Sequence, residues 1–505
     1  MLKQFLSKIP RRTPRLDSGE LIQPASGSPD GGQKSGGGGN SSSARSGGLR
    51  RASSVVFPAS VIAGIEPLMP FKDVPASEKM NLLVSKLSLC CVTFDFSDPA
   101  KNTMEKDVKR QILIEISDFV ASGSVRFAEP AVLAMCKMCA INLFRVFPPS
   151  YRSNSTGSGS ENDHDDPKFD PAWSHLQVVY DILLKFVNSS CLDIKVAKKY
   201  IDHAFILRLL DLFDSEDPRE RECLKTLLHR IYGKFMVHRP FIRKSISSIF
   251  YRFVIETEKH NGIAELLEIF GSVISGFALP LKEEHKIFFS RVVIPLHKPK
   301  SLGTYFQQLS YCIMQFIEKE PKLASVVIKG LLKYWPITNS QKEVMFLGEI
   351  EEILEMINTV ENAVEFEKVM VPLFLRISCC INSFHFQVAE RALFLWNNEQ
   401  IVCLIAHNRR VIMPIVFQAL EKNARGHWNP AVLNLTLSVK RMFLEMDEEL
   451  FLSCLAQSQE EEERLRQVVE KRNEAWQRLE TAASLQPVGR NIAMLVTPLA
   501  TSIAC

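Results

Sequence analysis

Leu227-Leu-His-Arg-Ile-Tyr-Gly-Lys-Phe235 lies at the centre of the stretch from Asp214 to Lys300 that decides the fold. Apolar residues recur in and before this segment at spacings of three and four, which places them on one face of a helix: Leu224, Leu227, Leu228, Ile231 and Phe235. The same periodicity sends His229, Arg230 and Lys234 to the flanks or the outside of the helix. A buried face beside a basic one is therefore the first prediction.

Three residues mark the beginning of this helix. Asp217 suits the N-cap, and Pro218 suits the first turn because it has no N–H to leave unpaired. Glu220, three residues after Asp217, is expected to complete a capping box by reaching back to the Asp217 N–H. A second helix is predicted from near Pro240, burying Phe241, Ile249, Phe250 and Phe253.

From Leu224 onward these two helices carry charge of one sign. No Asp or Glu occurs from Leu224 to Ile255, and the second helix adds Arg239, Arg243 and Lys244. One interpretation is a basic face in water. The other is a groove for an acidic peptide with apolar anchors, formed if stacked helices bring apolar side chains beside the charges: Tyr232, Ile269 and Val273.

Several collinear blocks of the chain closely resemble the B-prime (fifty-six-kilodalton) regulatory subunits of protein phosphatase type 2A. The resemblance extends roughly from Phe71 to Leu450 and leaves both tails outside. The blocks are Leu227 to Phe235, Phe250-Tyr-Arg-Phe253, His260 to Glu268, Gly276-Phe-Ala-Leu-Pro-Leu-Lys-Glu-Glu-His-Lys286 and Phe384-His-Phe-Gln-Val-Ala-Glu-Arg391.

The resemblance implies a non-catalytic regulatory subunit. Such subunits join a HEAT-repeat scaffold subunit and a two-metal catalytic subunit in a heterotrimer, and they select partners that carry Leu-x-x-Ile-x-Glu segments. No cofactor is expected in this chain, because the metals belong to the catalytic subunit. The resemblance also implies residue roles: His229 and Arg230 hold the motif's glutamate, Tyr232, Ile269 and Val273 take its isoleucine, Lys282 and His285 border its leucine, and Arg239 favours additional acid or phosphate.

Helical patterning continues from Phe71 to about Leu455, so the chain is predicted to be all-α. Prolines that follow apolar residues are separated by 41, 36 and 42 residues, at Pro295, Pro336, Pro372 and Pro414. This spacing is typical of degenerate HEAT-like helix pairs stacked in a curved solenoid. The predicted domains are a Gly/Ser/Pro-rich disordered tail (1–70), the solenoid (71–455), and a charged helix, Glu460 to Leu485, with a tail (456–505).

Composition and motifs disfavour catalysis by this chain. It has 505 residues, 46% of them hydrophobic, and a net charge of +4, which does not favour nucleic acid or a membrane surface as the main partner. No nucleophile elbow, phosphate loop or His-Glu-x-x-His helix occurs. Among the twelve cysteines, Cys90-Cys91, the Cys136/Cys139 pair and Cys379-Cys380 lie in apolar helical sequence, lack zinc-ligand spacing and are predicted to be buried thiols. No apolar run is long enough to span a membrane.

An alternative function class stays open from composition and periodicity. A HEAT or armadillo transport adaptor that binds cargo or nucleic acid would also combine a solenoid with a basic groove. A cytoplasmic location, with the nucleus as a second one, is expected mainly from the resemblance. Ser53, in Arg50-Arg-Ala-Ser53, has the spacing that basophilic kinases favour. Leu347-Gly-Glu-Ile-Glu-Glu352 fits the ligand pattern itself, but Leu347 and Ile350 are predicted to pack inward.

Overall fold

The computed structural model describes residues 68–123, 126–147, 169–357 and 363–485. Most of the predicted disordered tail, the possible phosphorylation site Ser53 and residues 486–505 lie outside the described residues. Within them every regular element is helical, which confirms the all-α prediction.

The α-helices are numbered in chain order. They are α1 (Lys79–Leu89), α2 (Thr103–Ala121), α3 (Glu129–Leu143), α4 (Trp173–Asn188), α5 (Ile194–Ala197), α6 (His203–Asp211), α7 (Pro218–Lys234), α8 (Arg239–Arg252), α9 (Ile263–Ser275), α10 (Glu283–Phe288), α11 (Phe306–Lys319), α12 (Leu323–Lys333), α13 (Ser340–Ile357), α14 (Ala363–Ile381), α15 (Phe386–Leu393), α16 (Glu399–His407), α17 (Arg409–Gly426), α18 (Pro430–Met446) and α19 (Glu448–Leu485).

The chain forms two compact units, one ending at Glu320 and the other beginning at Pro321. In the first unit α2, α4, α7, α9 and α11 pack in succession, while α1 packs on α3 and α6 on α8 in a second layer. In the second unit α12, α14, α17 and α19 pack in succession, with α13, α15 and α18 as the other layer. The helices of these layers therefore bury their apolar faces against helices of neighbouring pairs, as HEAT-like repeats do.

Side-chain hydrogen bonds between successive repeats reveal the period of the chain. Arg221 bonds Glu265 across 44 residues, and Lys225 bonds Glu268 across 43. In the second unit Asn398 bonds Glu355 across 43 residues, and the Asn423 amide donates to the Ile381 carbonyl across 42. This recurrence matches the predicted spacing of about 40 residues.

The prolines that suggested the period do not share one structural position. Pro295 lies in the 3-10 turn Ile294–His297, and Pro336 lies in the loop after α12. Pro372 and Pro414 lie inside α14 and α17. The spacing therefore indicates the repeat length but not a repeated turn.

Most of the predicted burial is confirmed, and three residues are more exposed than predicted: Phe241, Cys379 and Cys91. Leu347 and Ile350 are fully buried in α13, so the internal ligand-like segment is a packing element. Phe241 is only half-buried, because its ring stacks on that of His203 at the surface, with centroids 3.9 Å apart. Cys379 is exposed and Cys91 half-buried, whereas their neighbours Cys380 and Cys90 are buried. In α14 the Cys379 side chain points about 100° away from that of Cys380, on the outer side of the helix.

Among the described residues no single helix is both long and apolar enough to cross a membrane. The pair α16 and α17 reaches the required length and composition only jointly, and it is bent by 110°.

Candidate functional site

The helix α7 carries the first predicted site residues, and its beginning is fixed by two different carboxylates. Asp217 accepts the Arg219 N–H at 2.9 Å, and Pro218 occupies the first turn, as predicted. The predicted capping box is wrong, because the Glu220 side chain does not return to the Asp217 N–H. Glu220 is instead fully buried and accepts hydrogen bonds from Arg145, Tyr180 and Ser215, which satisfy it better than one backbone N–H could.

Three rungs join α7 to α9, and each rung is one helical turn beyond the last. Arg221 Nε donates to Glu265 Oε1 at 2.8 Å, and Lys225 Nζ donates to Glu268 Oε2 at 2.6 Å. The third rung joins His229 Nε2 to Ser272 Oγ at 3.0 Å. This ladder fixes the axial register of the two helices. The sequence reasoning missed it, although the pairing of basic residues four apart on α7 with polar residues three and four apart on α9 is a usable signal.

The predicted glutamate-binding pair lies at the end of this ladder. His229 is half-buried on the rung, and burial, aided by the neighbouring Arg230 charge, lowers the pKa of its imidazole. Arg230 is exposed, and within the described part of the chain no carboxylate pairs with it. A guanidinium in this state can pair with an incoming carboxylate without first giving up another ion pair.

Tyr232 connects this pair to the basic residues of α8. Arg239 Nε donates to the Tyr232 carbonyl at 3.0 Å, and the Arg239 guanidinium lies 5.2 Å from the centre of the Tyr232 ring. Arg243 Nη1 donates to the Tyr232 hydroxyl at 3.2 Å. Two arginines thus hold one half-buried aromatic ring. Arg243 was not among the predicted site residues, although it lies in the quoted basic segment.

The two predicted apolar residues lie one turn apart on α9. Ile269 is 2% exposed and Val273 6% exposed, and Ser272 of the His229 rung lies between them in sequence. They therefore lie three residues before and one residue after Ser272, the residue that bonds His229. Because so little of either side chain is exposed, a bound isoleucine must displace neighbouring side chains to contact them.

The last two predicted residues lie at the beginning of α10. Lys282 is exposed and precedes the helix as its N-cap residue. The His285 ring stacks on Phe277 with centroids 3.8 Å apart. Burial lowers the pKa of His285, and positive charge on Arg243 and Lys282 lowers it further, against the opposing effect of Glu284. The influence of Arg243 links α10 to the basic end of α8.

The structure thus places the eight predicted residues on or directly beside four successive helices, α7 to α10. We call this set the basic-apolar surface: His229, Arg230, Tyr232, Arg239, Ile269, Val273, Lys282 and His285. It offers cationic donors beside an aromatic ring and aliphatic side chains. Within the described ranges no cluster of three or more His, Cys, Asp or Glu side chains could hold a metal ion.

Comparison with known proteins assigns the chain to a family. Residues 68–483 match the family described as "Protein phosphatase 2A regulatory B subunit (B56 family)". The chain is 71% identical over 507 residues, covering 100% of both chains, to the B' kappa isoform of the 57 kDa regulatory subunit of serine/threonine protein phosphatase 2A in Arabidopsis thaliana. It is 62% identical to the kappa isoform of Oryza sativa subsp. japonica, over 98% of each chain. It is 59% identical to the 59 kDa B' gamma isoform of Arabidopsis thaliana, over 87% of this chain and 83% of that one. The chain therefore belongs to the B56 family of protein phosphatase 2A regulatory proteins, and its role is regulatory, not catalytic.

Proposed function

We propose that this regulatory subunit recruits proteins carrying Leu-x-x-Ile-x-Glu segments to a phosphatase 2A heterotrimer. The observation that carries the proposal is the basic-apolar surface, in which cations of α7, α8 and α10 lie around the apolar side chains of α9. Scaffold and catalytic subunits supply the rest of the heterotrimer, and the catalytic subunit supplies the metals. The proposed location of the complex is the cytoplasm, with the nucleus as a second site.

The chemistry of the surface suits each part of such a segment. Arg230 is exposed and can form two parallel hydrogen bonds to the ligand's glutamate, with His229 beside it. Tyr232, Ile269 and Val273 remove the ligand's isoleucine from water. Arg239 is already bonded to two carbonyls of α7, those of Tyr232 and Gly233, so it contributes a fixed charge that favours further acid or phosphate.

Arg230→Ala tests the proposal directly. Loss of a charge-assisted hydrogen bond costs roughly 1.5–3 kcal/mol, which is about a ten- to hundred-fold loss of affinity for a Leu-x-x-Ile-x-Glu peptide. Changing the peptide's Glu to Gln should cost less in this variant than in the wild type, because the two groups are coupled. Calorimetric titration measures all four affinities.

Lys244→Ala is the matched control, since Lys244 is an exposed cation of the same basic run on α8. It should change the affinity only slightly. If the losses of binding free energy from Arg230→Ala and from the peptide's Glu-to-Gln change add to within about 0.5 kcal/mol, Arg230 does not contact the ligand's glutamate. A pull-down separates the alternative class: phosphatase scaffold and catalytic chains support the proposal, whereas transport factors or nucleic acid support an adaptor.

A further inference from the structure

The third rung of the ladder between α7 and α9 differs in chemistry from the first two. The first two rungs join cations to carboxylates, whereas the third joins His229 Nε2 to the Ser272 hydroxyl oxygen at 3.0 Å. An ionised carboxylate only accepts hydrogen bonds, but a hydroxyl either donates or accepts one after rotating its hydrogen. The Ser272 hydroxyl can therefore satisfy Nε2 whether or not that nitrogen carries a proton.

The other ring nitrogen of His229, Nδ1, is open to a ligand. Among the described residues no group bonds Nδ1, and the atom is not buried. Arg230 is the next residue in the chain, and its side chain is exposed. In the proposed function the ligand's glutamate lies at both residues, so its carboxylate would accept a hydrogen bond from Nδ1 as well as from the guanidinium.

Two of the three protonation states of His229 suit a carboxylate at Nδ1. The imidazolium donates from both ring nitrogens, to the carboxylate and to the Ser272 oxygen. The neutral tautomer with its proton on Nδ1 donates to the carboxylate and accepts from the Ser272 hydroxyl. The other neutral tautomer turns a lone pair toward the carboxylate and repels it. Ser272 thus supports both of the states that bind, because it changes from acceptor to donor as Nε2 loses its proton.

The charges around His229 favour the neutral ring before a ligand arrives. Burial lowers the pKa of His229, and the Arg230 charge lowers it further. Nearby charged residues of α7, α9, α4 and the turn between α7 and α8 are already engaged: Arg221 with Glu265, Lys225 with Glu268, Asp181 with Lys185, and Lys234 with the carbonyls of Val187 and Ser189. A ligand carboxylate would offset the Arg230 charge and accept from Nδ1, and both effects raise the pKa of His229 in the complex.

We propose that the ligand's glutamate binds together with a proton on His229, and that Ser272 is the positioning residue that makes this possible. The inference rests on the proposed function and adds a regulation of that same site. The proton comes from water, and the ring that receives it donates Nδ1–H to the ligand and Nε2–H to Ser272. Because the complex then holds more protons than the separate partners, the affinity rises as the pH falls below about 6.5.

Calorimetric titration of the whole chain with two peptides tests the proposal. One peptide carries the Leu-x-x-Ile-x-Glu segment, and the other has Gln in place of its Glu. The ratio of the Gln-peptide Kd to the Glu-peptide Kd reports only the groups that contact the glutamate, so titration of His285 cancels. The peptide's glutamate stays mostly ionised at about pH 5.5, because its ordinary pKa is about 4.3.

This ratio should be about two- to five-fold larger at about pH 5.5 than at about pH 7.5, because a hydrogen bond from a charged donor is stronger than one from a neutral donor. The heat of binding of the Glu peptide at about pH 6 should also depend on the ionisation enthalpy of the buffer, because the buffer supplies the proton. His229→Gln should remove both effects.

Variants of Ser272 separate positioning from packing. Ser272→Ala should lower the ratio at about pH 7.5 by about three-fold, because the neutral ring loses the donor that holds its proton on Nδ1. Ser272→Thr keeps a hydroxyl and should restore the ratio. Ser275→Ala is the matched control, since Ser275 is exposed one turn later on α9, and it should leave the ratio unchanged. Circular dichroism checks that all variants keep their helices.

The outcomes separate this inference from the proposed function on which it rests. A ratio above one that is the same at both pH values would overturn proton-linked binding alone. A Ser272→Ala variant that binds both peptides equally less well would show that the hydroxyl only supports packing, and it would overturn the positioning role. A ratio of one at both pH values, or no binding of either peptide, would overturn the proposed function and this inference with it.

Discussion

Glu220→Gln is predicted to destabilise the first unit more than any nearby surface substitution. Glu220 is fully buried and accepts two hydrogen bonds from Arg145, at 2.8 and 2.7 Å, and one each from Tyr180 at 2.7 Å and Ser215 at 2.5 Å. The amide keeps the volume but removes the charge, and its NH₂ group would face donors. The substitution therefore leaves a buried guanidinium without its main partner.

The expected cost follows from what remains around Arg145. Breaking a buried ion pair costs about 3–5 kcal/mol when the surviving charge has no other partner. Arg145 keeps Asp170, whose carboxylate lies 2.9 Å from Nη2, so we expect the lower end, about 3 kcal/mol. For a unit of this size that corresponds to a loss of about 6–12 °C in Tm.

Urea titration followed by circular dichroism measures the change in unfolding free energy, and calorimetry measures the change in Tm. Glu216→Gln is the matched control, since Glu216 is exposed four residues before Glu220, and it should cost less than about 0.5 kcal/mol. Combining Glu220→Gln with Arg145→Met should cost clearly less than the two separate losses added together. A loss below about 1 kcal/mol for Glu220→Gln, or strict additivity, would refute the reasoning.

Two further predictions concern packing and pH. A Cβ on Gly262 would lie 2.3 Å from the Phe213 carbonyl oxygen, so Gly262→Ala should lower the unfolding free energy by about 1–3 kcal/mol. A Cβ on Gly233, in α7, would have no atom within 4 Å, so Gly233→Ala should raise the unfolding free energy by about 0.5–1 kcal/mol. Urea titrations that give the two variants the same unfolding free energy would contradict this contrast. Because burial lowers the pKa of His229 and His285, the folded chain binds fewer protons than the unfolded chain below about pH 6.5. The unfolding free energy should therefore fall as the pH drops from about 6.5 toward the folded pKa values. Urea titrations at about pH 7.5 and 5.5 measure this fall, and it should be smaller in the His229→Gln variant.

Local rules predicted the helices better than the contacts between them. The stripe from Leu224 to Phe235 is buried as its periodicity requires, because one helix face must meet the core whatever the neighbours are. The fate of Glu220 was predicted wrongly, because the capping pattern is local whereas Arg145 is 75 residues away. The same limit explains why the role of Arg243 was missed: its bond to Tyr232 depends on the angle between α7 and α8, which periodicity does not specify.

The ladder between α7 and α9 holds the residues of the proposed peptide-binding surface in register, although they lie far apart in the sequence. Each rung lies one turn beyond the last, so the Arg221 and Lys225 ion pairs fix where His229 meets Ser272. Ile269 and Val273 flank Ser272, and Arg230 follows His229, so their axial spacing is set before any ligand arrives. Tyr232 is likewise already held by Arg239 and Arg243. On the proposed function, binding would order the exposed Arg230 and Lys282 side chains and displace the side chains that cover Ile269 and Val273, and these two rearrangements are what the protein contributes to the cost of binding.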